Sequence, residues 1–177
     1  MIRSQLLLIP FVLQMFCMVV DEFCFHRRRT LPRWERLGHP ADTLTVLLCW
    51  TIILSTRPAP VPITVYLCAT LFSCFFVTKD EWVHARFCQP GEHLIHAFLF
   101  ILHPLSFLAA GLMWQAVSAR STEGQSFGWI SYQGFERTFF IVNTALTVLF
   151  GLYQLIFWNL IWRDTSKPRP PANSMMT

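Results

Sequence analysis

Charge is sparse in five long stretches of this chain, near residues 6–25, 32–56, 61–78, 92–118 and 138–162, and that segregation decides what it can fold into. A helix needs about 20 mostly apolar residues to cross about 30 Å of hydrocarbon, and each stretch approaches or exceeds that length. Seventeen Phe and seven Trp, in a chain that is 54% hydrophobic, are more than one water-soluble core of 177 residues can hide. The expected class is an all-α integral membrane protein with about five transmembrane helices, the first four forming a bundle of two parallel helical-hairpin repeats. Disorder, collagen-like repetition and a secreted disulfide scaffold are excluded by the same composition. The six cysteines include no C-x-x-C pair and read chiefly as small buried residues.

The expected layout is a single transmembrane domain over residues 1–165, with repeat 1 near 5–57, repeat 2 near 61–119, a fifth helix near 137–163, and a disordered tail over 166–177. The first stretch lacks a basic flank before it and a small-residue cleavage site after it, so it reads as a span rather than a signal peptide. Within the second stretch only residues 43–56 are free of charge, too few to span alone. That helix has to begin earlier, near Leu31, with Thr30 as N-cap and Pro32 in the first turn, and it carries Glu35, His39 and Asp42 toward the bilayer. The third runs on through Asp80, Glu81 and His84 until Gln89-Pro90-Gly91 stops it, and the fourth begins at Glu92. Arg27, Arg28, Arg29, Arg33, Arg36, Lys79, Arg86, Arg163, Lys167 and Arg169 fall on one side, against Arg3, Arg57, Arg120 and Arg137 on the other. The positive-inside rule makes the first side cytoplasmic, with the N-terminus out and the C-terminus in, as expected of a bacterial inner-membrane protein. The net charge of +4 is then a topology signal, and no nucleic-acid partner is implied.

The two cytoplasmic connections resemble each other. The first reads Asp21-Glu22-Phe23-Cys24-Phe25-His26-Arg27-Arg28 and then Glu35-Arg36-Leu37-Gly38-His39; the second reads Asp80-Glu81-Trp82-Val83-His84-Ala85-Arg86 and then Glu92-His93-Leu94-Ile95-His96. The offset between them drifts from 59 to 58 to 57 residues, which two one-residue deletions explain. Glu22/His26, Glu35/His39, Asp80/His84 and Glu92/His96 are i,i+4 pairs and Glu81/His84 is i,i+3, so each pair shares a helix face. Four helices can therefore aim carboxylates and imidazoles at one centre.

Those types at that spacing suit metal ligation. The logic is similar to that of the di-metal carboxylate bundles, whose helices supply Glu and Glu-x-x-His ligands to two metals, although here the spacing is mainly E-x-x-x-H. Histidines at the cytosolic ends of transmembrane helices also resemble the membrane hydroxylases and desaturases with histidine boxes, but this chain has six His and no H-x-x-H-H. The candidate ligands are Glu22, His26, Glu35, His39, Asp80, Glu81, His84, Glu92, His93 and His96. Asp42 extends the Glu35/His39 face by one turn and His103 extends the Glu92/His96 face by two, which makes them candidates for catalytic proton relay or for orienting the ligands. Oxygen and nitrogen donors suit two metal ions, iron ahead of zinc or manganese. Asn143, Gln154 and Asn159 read as interhelical hydrogen-bonders, and Phe157, Trp158 and Trp162 as an interfacial belt.

The expected function is a membrane-embedded metalloenzyme with a dinuclear non-haem centre that oxidises or hydroxylates a lipid-like or small hydrophobic substrate, with an electron donor as a further partner. A zinc-dependent membrane hydrolase, a haem protein with axial histidines and a metal or proton transporter are the alternatives. The plainer reading is that the acids pair with neighbouring Arg and Lys at the headgroups. The topology is checked by introducing cysteine at Arg28 or Arg86: an impermeant thiol reagent added outside is expected to leave both unlabelled, and labelling from outside would reverse the orientation.

Overall fold

A computed structural model describes residues 2–28, 31–81, 88–119 and 126–162. Five helices among them are long and apolar enough to cross a membrane. The first, α1 (Ile9–Val20), extends into one helical span, Ser4–Arg28, through a 3-10 turn before it and, after it, a π turn at Asp21–Phe25 and a 3-10 turn at His26–Arg28. Next come α2 (Arg33–Ser55) and α3 (Pro60–Phe76), the latter continuing through a 3-10 turn at Val77–Asp80. The longest is α4 (Pro90–Ser118), and α5 (Glu136–Ile156) ends in a second π turn at Phe157–Ile161. Three two-residue strands, β1 (Ile2–Arg3), β2 (Ser126–Phe127) and β3 (Ile130–Ser131), form a small sheet in the order β1-β3-β2 that ties the N-terminus to the segment before α5. Gly128, at φ +58°, makes the tight connection between β2 and β3.

Helix starts follow proline chemistry. Pro32 is the extended residue before α2, so that helix begins at Arg33, two residues after the expected Leu31, and still carries Glu35, His39 and Asp42 in its first turns. Pro90 occupies the first position of α4, where a missing N–H costs nothing, and Gln89 precedes it in extended conformation. Pro40 lies inside α2, where its missing N–H leaves the Arg36 carbonyl without its usual partner. The side chain of Asn159, in the π turn after α5, donates to that carbonyl at 3.3 Å.

The helices pack α1 on α4 and α2 on both α3 and α5, with α4 also touching α2. At their centre Phe11, Trp50, Phe107 and Phe140 meet with ring centroids 5.1 to 6.1 Å apart. Around it the outward faces are apolar, among them Leu44, Val61, Phe75, Leu108, Leu149 and Leu160, each more than half exposed. Where α2 meets α5, Gly151 lets the backbones close: a Cβ there would lie 2.8 Å from Thr43 Cγ2. Next to it Thr43 Oγ1 donates to Gln154 Oε1 at 3.2 Å. Gly151→Ala is therefore expected to destabilise by about 1–3 kcal/mol, although alanine is the better helix former by about 1 kcal/mol. Thr43→Ser removes the clashing methyl and keeps the hydroxyl, so it should restore most of the loss in the double variant, read by thermal unfolding in detergent.

Candidate metal centre

At one end of the bundle the C-terminal end of the first span meets the first turns of α2 and α4. Two groups of potential metal donors form there, Asp21/His26/Glu92/His96 and His26/Glu35/His39, each with its donor atoms within 4.8 Å of one another, and His26 belongs to both. The Asp21 carboxylate lies between two imidazoles, with Oδ2 3.2 Å from His26 Nε2 and Oδ1 3.2 Å from His96 Nε2. Glu92 Oε1 is 3.6 Å from His26 Nε2. The His26 ring stacks on His39 with centroids 4.8 Å apart and meets His96 edge-on at 6.2 Å. Glu35 is fully buried, and His26 and Glu92 are 2% and 1% exposed.

Backbone geometry explains why Asp21 is present. In an α-helix residues five apart diverge, but the π turn widens the helix, and the His26 N–H reaches the Asp21 carbonyl as well as that of Glu22. Asp21 and Glu22 can thus both approach His26. Glu22 Oε2 lies 3.6 Å from His26 Nδ1, while its Oε1 accepts from the Tyr153 hydroxyl at 2.6 Å and from Trp158 Nε1 at 2.9 Å. Arg27 in turn donates to the Tyr153 oxygen at 3.1 and 3.2 Å. The fifth span therefore fixes a carboxylate of the first.

Of the residues singled out from the sequence, His26, Glu35, His39, Glu92 and His96 come together, with Glu22 beside them. His93 is half-buried and belongs to neither donor group. Glu81 is exposed just after the third span, the backbone of Asp80 ends the preceding turn, and His84 lies outside the described residues. Asp42 is held by Lys79, whose Nζ is 2.7 Å from both carboxylate oxygens. His103 is fixed deeper in the bundle, 3.0 Å from Ser73 Oγ through Nε2 and 3.3 Å from Gln14 Nε2 through Nδ1. Ser73 continues that chain to Thr45 at 2.7 Å.

Asp21, Tyr153 and Trp158 were not among the expected site residues. The adjacent Asp21-Glu22 pair is the signal for Asp21 in the sequence, but regular α-helical spacing pairs His26 with Glu22 at i,i+4 and not with Asp21 at i,i+5. Trp158, expected in an interfacial belt, is instead buried at 2% exposure with its indole N–H on Glu22. Gln154 and Asn159 do bond between helices, to Thr43 and to the Arg36 carbonyl.

A cavity of about 140 Å³ runs from this cluster into the bundle. Asp21, Glu22, His26, His39 and His96 line its polar end, and Phe11, Val46, Trp50 and Phe100 line the interior beyond. Asp42, His103 and Asn143 also reach its wall. Such an arrangement can hold cations at one end and an apolar molecule at the other. Compared with protein-family models, curated proteins and solved structures, the chain matches none.

Tyr153→Phe is expected to cost about 1–3 kcal/mol, because it removes a hydrogen bond from a buried carboxylate rather than from a neutral group. Trp158→Phe should cost a similar amount, and a double variant measured by denaturant unfolding should show non-additivity, since both donors serve the same oxygen.

Proposed function

We propose that this chain is an integral membrane metalloenzyme whose dinuclear centre, with iron as the favoured metal, oxidises or hydroxylates a small hydrophobic or lipid-like substrate. The observation that supports it is the pair of donor groups sharing His26 at the polar end of an otherwise apolar cavity. The donors fit a metal: imidazole nitrogen with carboxylate oxygen suits iron, manganese or zinc. Two ligands on opposite sides of an ion with bonds near 2.1 Å stand about 4.2 Å apart, so donor separations up to 4.8 Å need only a small contraction.

Bound iron would supply the oxidative step with dioxygen, drawing electrons from a separate donor. The protein's own part is orientation and exclusion. Asp21 holds the rings of His26 and His96 toward each other, and Tyr153 with Trp158 keeps Glu22 facing His26. The apolar interior keeps water from the substrate end. Asp42 and His103, on the cavity wall but tied to Lys79 and Ser73, are suited to hold or pass a proton rather than to ligate. The ten-to-four distribution of Lys and Arg supports a cytoplasmic position for the centre. A zinc-dependent hydrolase is the second reading, favoured by one feature: Glu22 Oε2 is buried with no hydrogen bond among the described residues and stands beside His26, where it could serve as a general base.

Metal analysis of the purified protein together with an ultraviolet-visible spectrum tests both. The parent should carry metal, and His39→Ala or His96→Ala should each lose at least one ion per chain with the helices still inserted. His103→Ala should retain metal, because two helical turns, about 10 Å, separate it from His96 along the axis. Equal metal content in the parent and all three variants would refute the ligand assignment, and zinc in place of iron would select the hydrolase.

A further inference from the structure

The cavity over the candidate centre has a neighbour on the side where α1 faces α5. A second void, about 160 Å³ and almost wholly apolar, lies between Val12 and Met15 on α1 and Val142 and Leu146 on α5. Phe11, Met15 and Asn143 line both spaces, so these three side chains are all that the two have as a common wall. Val12, Val142 and Leu146 are 59%, 52% and 43% exposed, which places the outer void on the surface as a groove.

Its depth identifies what meets it. Val12 stands eight residues in from Ser4, and Leu146 ten in from Glu136, about 12 and 15 Å along their spans. In a bilayer with about 30 Å of hydrocarbon the groove opens near the middle, where alkyl chains are present and headgroups are not. Size narrows the class further. An engineered cavity of about 150 Å³ holds one benzene ring, so 140 Å³ takes roughly six carbons, and a longer molecule has to leave its remainder outside. The groove, which shares Phe11, Met15 and Asn143 with the cavity, is a space that can receive that remainder.

We infer that the groove between α1 and α5 is a lateral entrance through which a single unbranched alkyl chain passes from the bilayer into the cavity. Met15 is the gate: its unbranched thioether side chain can change rotamer without disturbing the backbone, whereas Phe11 is fixed in the aromatic cluster. The inference rests on the proposed metalloenzyme only for what happens to the chain once inside.

The test uses the full chain in phosphatidylcholine nanodiscs with a fatty acid carrying a diazirine at its methyl end, followed by irradiation and peptide mapping. Adducts are expected at the cavity residues Leu99 or Phe100 as well as at the groove. Val142→Trp or Leu146→Trp should reduce the inner adducts by roughly tenfold, equivalent to about 1.4 kcal/mol in occupancy. Ile141→Trp, at the same depth but about 100° round the helix from Val142, exposed and lining neither space, should leave them unchanged. Metal content measured on the same samples separates the two claims: inner adducts blocked by Val142→Trp in a protein without metal uphold the entrance and defeat the metalloenzyme. Inner adducts that are missing, or that persist in both groove variants, overturn the entrance whatever the metal content. A disulfide-linked dimer formed through Val142→Cys would show a second copy covering the groove and would likewise overturn it.

Discussion

The imidazole of His26 is held by its own span through Asp21 and Glu22, by α2 through the stacked ring of His39, and by α4 through Glu92 and the edge of His96. A titratable ring almost without solvent is stable only where its neighbours supply complementary groups, and in a low dielectric a misplaced one is costly. That requirement fixes the relative heights of three helices. It is met because α2 and α4 both begin just after a proline-marked break, so that each offers Glu and His one turn apart in its first two turns.

The opposite end of the bundle is closed by different chemistry. Trp114 donates to the Thr56 carbonyl and Arg137 to that of Val117, both at helix ends, and Tyr132 donates to the Leu112 carbonyl within α4. Glu136, buried at the start of α5, accepts from Ser4 Oγ at 2.6 Å and from the Gln133 and Gly134 backbone N–H groups. Between the two ends lies the aromatic cluster of Phe11, Trp50, Phe107 and Phe140. The interior therefore grades from carboxylate and imidazole, through a partly open cavity, to close-packed rings.

Much of this was legible in the sequence because it depends on local spacing. Five apolar stretches give five helices, and Glu35/His39 and Glu92/His96 at i,i+4 give shared faces that need no tertiary knowledge. Asp21 was not legible as a partner of His26, since its approach depends on a departure from α-helical geometry. Tyr153 and Trp158 meet Glu22 across more than 130 positions of chain, and no local pattern encodes such a contact. Trp158 departs from an interfacial belt for a related reason: Trp is amphipathic, but which side its indole N–H faces is decided by packing. His103 stood out as a histidine within an apolar run, whereas its partners Ser73 and Gln14 are too common in membrane helices to stand out.

The π turn at Asp21–Phe25 accommodates one residue more than a regular α-helical turn would. Asp21 to His26 spans one residue more than Asp80 to His84, and that additional residue falls within the turn where the helix widens. An extra residue in a uniform α-helix would swing everything beyond it by about 100° about the axis. Absorbed as a local bulge, it keeps the faces on either side aligned and brings a second carboxylate to the same imidazole. A one-residue departure from regular α-helical spacing thus lets one helix bring two carboxylates to a single imidazole without turning its outward faces.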